Sequence, residues 1–136
     1  MWTCQICSRI FAKNSQPHSC RKVPLDFHFK GKEKALELFC ILKKTIEEKI
    51  GKCQVISIPC CIHLFGNYDF LAALPKKDRL EIRFALDRIL TDKRVKQTVP
   101  LSQHFYKDCI DIYSVDDIDD LVIGWLKESY HLKELK

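Results

Sequence analysis

The sequence predicts an α+β protein: an antiparallel four- to five-stranded meander packed by an N-terminal and a C-terminal helix, preceded by a small cysteine-bearing knuckle. Three observations carry this. One helical periodicity runs from Lys32 to Ile50 and a second follows Ser114. Between them, short apolar runs recur between turn-forming residues. The 136 residues suffice for one ordinary core and an appendage, and they divide into a knuckle over 1–24 and an α+β domain over 25–136.

The knuckle rests on ligand spacing. Cys4-x-x-Cys7 directs two sulfurs at one tetrahedral ion, and His18-Ser19-Cys20 supplies a second pair on an extended or turned chain after Pro17. Zinc is the ion such a set predicts, and it lets a segment with little apolar core fold around it. His28 stands as a substitute should Cys20 not ligate. Four protein ligands close the site, so no hydrolytic role follows. The second pair lacks the helical spacing of DNA-reading fingers, which argues against sequence-specific reading of DNA. Arg9, Arg21 and Lys22 can balance the excess negative charge of three thiolates.

In the main domain, Ala35, Leu38, Phe39, Leu42, Ile46 and Ile50 recur at helical spacing, and Gly51 provides a stop. Strands are expected at Gln54–Ile58, Cys61–Phe65, Tyr68–Leu74 and Leu80–Leu86, divided by Pro59, Gly66-Asn67 and Pro75-Lys76-Lys77-Asp78. In the last of these, Leu80, Ile82, Phe84 and Leu86 alternate with charged residues, the mark of a sheet with one packed and one wet face. A fifth strand covers 105–113. Ser114 with Asp117 forms a capping box for the closing helix, whose apolar stripe is Val115, Ile118, Leu121, Val122, Trp125 and Leu126. The aspartates around it read as capping and solvation rather than as a metal site.

Charge is uneven. The first 34 residues hold seven Lys/Arg against two acids, whereas the rest holds sixteen of each, so the net +5 resides formally in the knuckle and its linker. No apolar stretch is long enough to cross a bilayer and no export signal opens the chain, which predicts a cytoplasmic, reduced protein. Cys40, Cys53, Cys60, Cys61 and Cys109 lie in apolar stretches and are expected to be core thiols.

Trp2-x-Cys4-x-x-Cys7-x-Arg9-x-Phe11, Gln16-x-His18-Ser19-Cys20, and the closing Asp116-Asp117-x-Asp119-Asp120-Leu121 with Trp125, Leu126 and Tyr130 resemble the bacterial domain of unknown function 5655. Members usually carry glycine after the second cysteine, where Ser8 stands here. The resemblance implies a compact α+β fold and no particular activity.

The functional expectation is a zinc-binding, non-enzymatic module. Arg9, Lys13, Arg21 and Lys22 of the knuckle, with Arg79 and Arg83 on the wet face, would contact RNA, single-stranded nucleic acid or another polyanion. The alternative is a protein-interaction adaptor. The chain has no phosphate loop, serine elbow or metalloprotease histidine pair. Asp69 with Glu81-Ile82-Arg83 loosely resembles the acids by which some nucleases hold Mg²⁺. Cys60 and Cys61 with His63 form a further candidate, a thiol beside a base on one strand face, although their apolar neighbours favour a structural role.

Overall fold

The computed structural model describes residues 2–5, 10–11, 14–15 and 22–132. Cys7, His18 and Cys20 of the expected zinc site, and Arg9, Lys13 and Arg21 of the expected polyanion contact, lie outside the described residues. What is described of the knuckle includes a two-stranded antiparallel pair, β1 (Trp2–Thr3) and β2 (Ile10–Phe11), whose backbone register pairs Trp2 with Phe11 and Thr3 with Ile10. Cys4 follows β1 directly and is buried.

A short helix α1 (Asp26–Phe29) leads into α2 (Glu33–Lys49), which buries Ala35, Leu38, Phe39, Leu42 and Ile46, the stripe the periodicity predicts. The stop is also as expected, with Ile50 and Gly51 both donating backbone N–H to the Ile46 carbonyl. The sheet follows: β3 (Gln54–Ile58), β4 (Cys61–Phe65), β5 (Asp69–Pro75), β6 (Leu80–Leu86), β7 (Val95–Pro100) and β8 (Tyr106–Ile112). All pairs are antiparallel, in the order β3-β4-β5-β6-β8-β7.

The sheet has six strands instead of four to five. The strand missed is β7, whose Val-Lys-Gln-Thr-Val-Pro has no clean alternation, a register shift between Val95 and Gln97, and a terminal proline. An edge strand tolerates all three, because only one side of its ladder must be satisfied.

The closing helix α3 spans Asp120–His131 and starts later than the capping box suggests. Ser114 and Asp117 do form that box, but they cap a single 3₁₀ turn over Val115–Asp117. Asp119 then caps α3 itself, its side chain accepting from the Val122 N–H at 2.9 Å. The stripe shifts accordingly: Val122, Ile123, Trp125 and Leu126 are buried, whereas Val115 and Leu121 are exposed.

All three helices contact the same strands, β5 for α1 and both β5 and β6 for α2 and α3, so one sheet face holds the main core. Leu42, Ile46, Leu64, Leu71, Ile82, Phe84, Ile110 and Leu126 are fully buried in it, each contributing about 1.5–3 kcal/mol of burial. The opposite, open face bears none of these three helices and carries a smaller buried apolar cluster of Ile56, Ile58, Cys61 and Phe65, with Leu74 against it. Among the described residues no helix is long and apolar enough to cross a membrane.

Candidate metal centre

A thiol and imidazole cluster stands where β3 turns into β4. Ile58 pairs with Cys61, so Pro59 and Cys60 form a two-residue turn that leaves Cys60 exposed at the rim. Cys61 opens β4 and His63 follows two positions later, so both side chains take the open face. A bulge supplies the fourth member. Leu64 pairs with Leu71 but Phe65 pairs with Asp69, which leaves Phe70 as an extra residue. Phe70 thereby joins Leu71 in the main core, and Asp69 comes to the side of His63.

The distances are short. Cys60 Sγ lies 2.7 Å from Cys61 Sγ, Cys61 Sγ lies 3.0 Å from His63 Nε2, and Asp69 Oδ2 lies 2.6 Å from His63 Nδ1. This last contact lies off the direction of a ring N–H bond and is a close approach of the carboxylate to the ring. Two sulfurs and Nε2 fall within 4.8 Å of one another, a group able to hold a metal ion. With metal–sulfur bonds of about 2.3 Å and metal–nitrogen bonds of about 2.0 Å, tetrahedral edges run to about 3.5–3.8 Å, so the triangle must open slightly to take an ion. His63 would bind through Nε2 while Asp69 holds its other nitrogen, the usual support of a ligating histidine.

Electrostatics separate metal binding from nucleophilic chemistry. Burial, the hydrogen bond with Cys60 and the nearby Asp69 charge push the Cys61 thiol up to about 12. Without an ion it is therefore protonated at neutral pH and a poor nucleophile. A bound cation reverses this preference, since thiols deprotonate on coordination.

The cluster opens into a cleft of about 370 Å³ over the open face, whose walls include Ala72, Leu74, Arg83, Ala85, Leu101 and Lys107. Beyond it the face turns ionic. Glu81 is buried and accepts from Lys96 Nζ at 2.6 Å and from Arg83 Nε and Nη2 at 3.0 and 2.8 Å. Asp111 joins Lys96 at 2.9 Å and Arg79 at 3.1 Å, and Arg79 also reaches Asp78 at 2.9 Å.

The structure thus redistributes the residues the sequence singled out. Arg79, just before β6, and Arg83, within it, are committed to acids, and Lys22 is exposed ahead of α1. Asp69 and Glu81 do not meet: one starts β5 and the other faces Leu74 near its end, about 16 Å along the strand, so no shared Mg²⁺ site forms. Cys40 and Cys60 are exposed rather than core thiols, because Cys40 lies outside the buried stripe of α2 and Cys60 sits in a turn. His28 is buried, and burial lowers its pKa. Cys60, Cys61 and His63 were legible as a thiol near a base; the bulge that brings in Asp69 was not.

Searches of curated proteins and of solved structures returned no match. A family described as Domain of unknown function (DUF5655) matches residues 25–133. The matched span holds the whole six-stranded sheet, its helices and the Cys60, Cys61 and His63 cluster, but not the cysteine-rich segment expected to carry much of the likeness. With most of its length matched, the chain belongs to the DUF5655 family.

Proposed function

We propose that this chain is a metal-binding, non-enzymatic module in which Cys60, Cys61 and His63 hold one thiophilic divalent ion, with zinc the natural occupant. The observation that carries this is the convergence of two sulfurs and one imidazole nitrogen, backed by a carboxylate on the second nitrogen. A zinc knuckle over residues 1–24, with Cys4, Cys7, His18 and Cys20 as ligands, would hold a second ion. Its basic residues Arg9, Lys13, Arg21 and Lys22 would face RNA or single-stranded nucleic acid.

A nucleophilic cysteine is the less favoured reading, because the Cys61 thiol is held protonated. The test is a Co²⁺ titration of reduced protein under anaerobic conditions, following thiolate charge-transfer absorption. Wild type should take two equivalents, His63→Ala one, Cys4→Ser one, and the double variant none. Full binding by His63→Ala would end the sheet site; full binding by Cys4→Ser would end the knuckle.

A further inference from the structure

We propose that Cys60 and Cys61 are a redox-modification site: a low-molecular-weight disulfide oxidises them to a bridge between neighbouring residues, and this releases the ion. The release rests on the metal reading of Cys60, Cys61 and His63; the oxidation does not.

The spacing of the sulfurs carries the argument. Cys60 Sγ and Cys61 Sγ lie 2.7 Å apart. That falls between a disulfide bond of about 2.05 Å and a tetrahedral metal edge of about 3.5–3.8 Å. A small closing or a small opening therefore commits the pair to one state or the other. The turn makes this possible. Ile58 pairs with Cys61 around Pro59 and Cys60, so Cys60 lies outside the alternation of the ladder and its sulfur can stand beside that of the first residue of β4. Both cysteines line the cleft of about 370 Å³, and Cys60 is exposed, so a small reagent can reach them.

The reaction starts at Cys60. Its thiolate attacks one sulfur of the small disulfide, a mixed disulfide forms, and one small thiolate leaves. Cys61 Sγ then attacks Cys60 Sγ and gives its proton to His63 Nε2 at 3.0 Å, while the second small thiolate leaves. Contact between the two sulfurs makes this second step intramolecular. The Asp69 carboxylate beside Nδ1 offsets the charge that the proton brings to the ring. Two protein thiols lose two electrons, the small disulfide gains them, and the two thiol protons, one by way of His63, end on the two small thiols.

Reversal follows from the same geometry. Adjacent α-carbons stand about 3.8 Å apart across a trans peptide, shorter than the span of about 4.4–6.8 Å usual for disulfides. A strained and exposed disulfide is readily reduced, which suits a switch and not a structural bridge. Oxidation removes both sulfur donors and leaves His63 alone of the three, too little to hold an ion.

The experiment treats full-length, metal-free, reduced protein with 2-hydroxyethyl disulfide, which is uncharged and so not repelled by Asp69, and reads the products by peptide mass spectrometry. The peptide holding Cys60 and Cys61 should lose two hydrogens, with fragment ions placing the bond between them, whereas the exposed Cys40 should stop at a mixed disulfide. Cys61→Ser should accumulate the mixed disulfide at Cys60, and excess 2-mercaptoethanol should reverse every product. In Co²⁺-loaded protein, the His63-dependent absorption should be lost in step with the disulfide and return on reduction. A stable mixed disulfide at Cys60 in wild type, or an unmodified pair where Cys40 has reacted, would overturn the redox site whatever the metal does. Disulfide formation without any His63-dependent Co²⁺ signal would uphold the redox site and defeat the metal reading. A Co²⁺ signal that survives disulfide formation would overturn the release.

Discussion

Glu81 and Asp108 are both buried acids of neighbouring strands, and their surroundings drive them in opposite directions. Burial alone would raise the pKa of Glu81, but hydrogen bonds and charge from Lys96 and Arg83 overcome it and hold the carboxyl below its ordinary 4.5. A depressed folded pKa stabilises above the unfolded value and is lost as pH falls through the folded one. Glu81→Gln should therefore cost about 1–2 kcal/mol at pH 7 and much less near pH 3, as measured by urea unfolding at both values. Asp108 points to the core face opposite Phe84; Thr98 donates to its Oδ1 at 2.7 Å, and Oδ2 has no partner among the described residues. Burial dominates here and raises its pKa above the ordinary 3.8, so the charged form is a penalty above the folded pKa that protonation relieves. Asp108→Asn should be at least as stable as wild type at pH 7, and a clear loss would show that the carboxylate is needed. Strand alternation made the placement of Glu81 on the open face legible. The burial of Asp108 was not, because β8 carries two acids, Asp108 and Asp111, and residue type alone does not mark which of them is buried until β7 supplies Thr98.

At the level of elements, the last turns of α3 are pinned to the start of β5 and to the segment between α2 and β3. Tyr68 donates its hydroxyl to the Ser129 carbonyl at 3.1 Å, Ser129 Oγ donates to the Phe70 carbonyl at 2.7 Å, and Tyr130 donates to the Lys52 carbonyl at 2.8 Å. The Tyr130 ring also meets Phe70 edge-on at 4.9 Å and lies between two glycines. A methyl at Gly66 would stand 2.5 Å from Tyr130 Cε2, and one at Gly51 would stand 2.8 Å from its hydroxyl oxygen. The ring cannot swing aside without losing its hydrogen bond and its aromatic contact. Gly66→Ala should thus cost about 1–3 kcal/mol in thermal or urea unfolding. Combined with Tyr130→Ala, the cost should be clearly less than the sum of the two single changes, whereas strict additivity would show that the ring is not the obstacle. This docking explains a shortfall in the sequence reading. Ser114 and Asp117 gave a valid cap, but Asp119 gave a second, and only contact with β5 and β6 decides which one begins the helix that packs.

For the whole molecule, the helix stripes and the order of the first strands were readable because burial imposes a period on them. The character of the open face was not, since it depends on which charges the register brings together. That register bears on the polyanion. Arg79, Arg83 and Lys96 are tied to Glu81, Asp78 and Asp111, Arg88 pairs with Glu128 at 2.7 Å, and Arg94 pairs with Asp92 and Asp119. Contact with a phosphate chain would require breaking such pairs, so the sheet offers little free positive charge. The net +5 instead resides in the first 34 residues, where seven cations face two acids. Binding of a random single-stranded RNA should accordingly weaken with salt, and each phosphate contact removed from Arg9, Lys13, Arg21 or Lys22 should reduce the slope of log affinity against log salt by about 0.7. Arg79→Ala and Arg83→Ala should leave both affinity and slope close to wild type. Loss of binding by the sheet variants, with the N-terminal ones unaffected, would move the contact surface to the open face; no binding at low salt would remove nucleic acid as a partner.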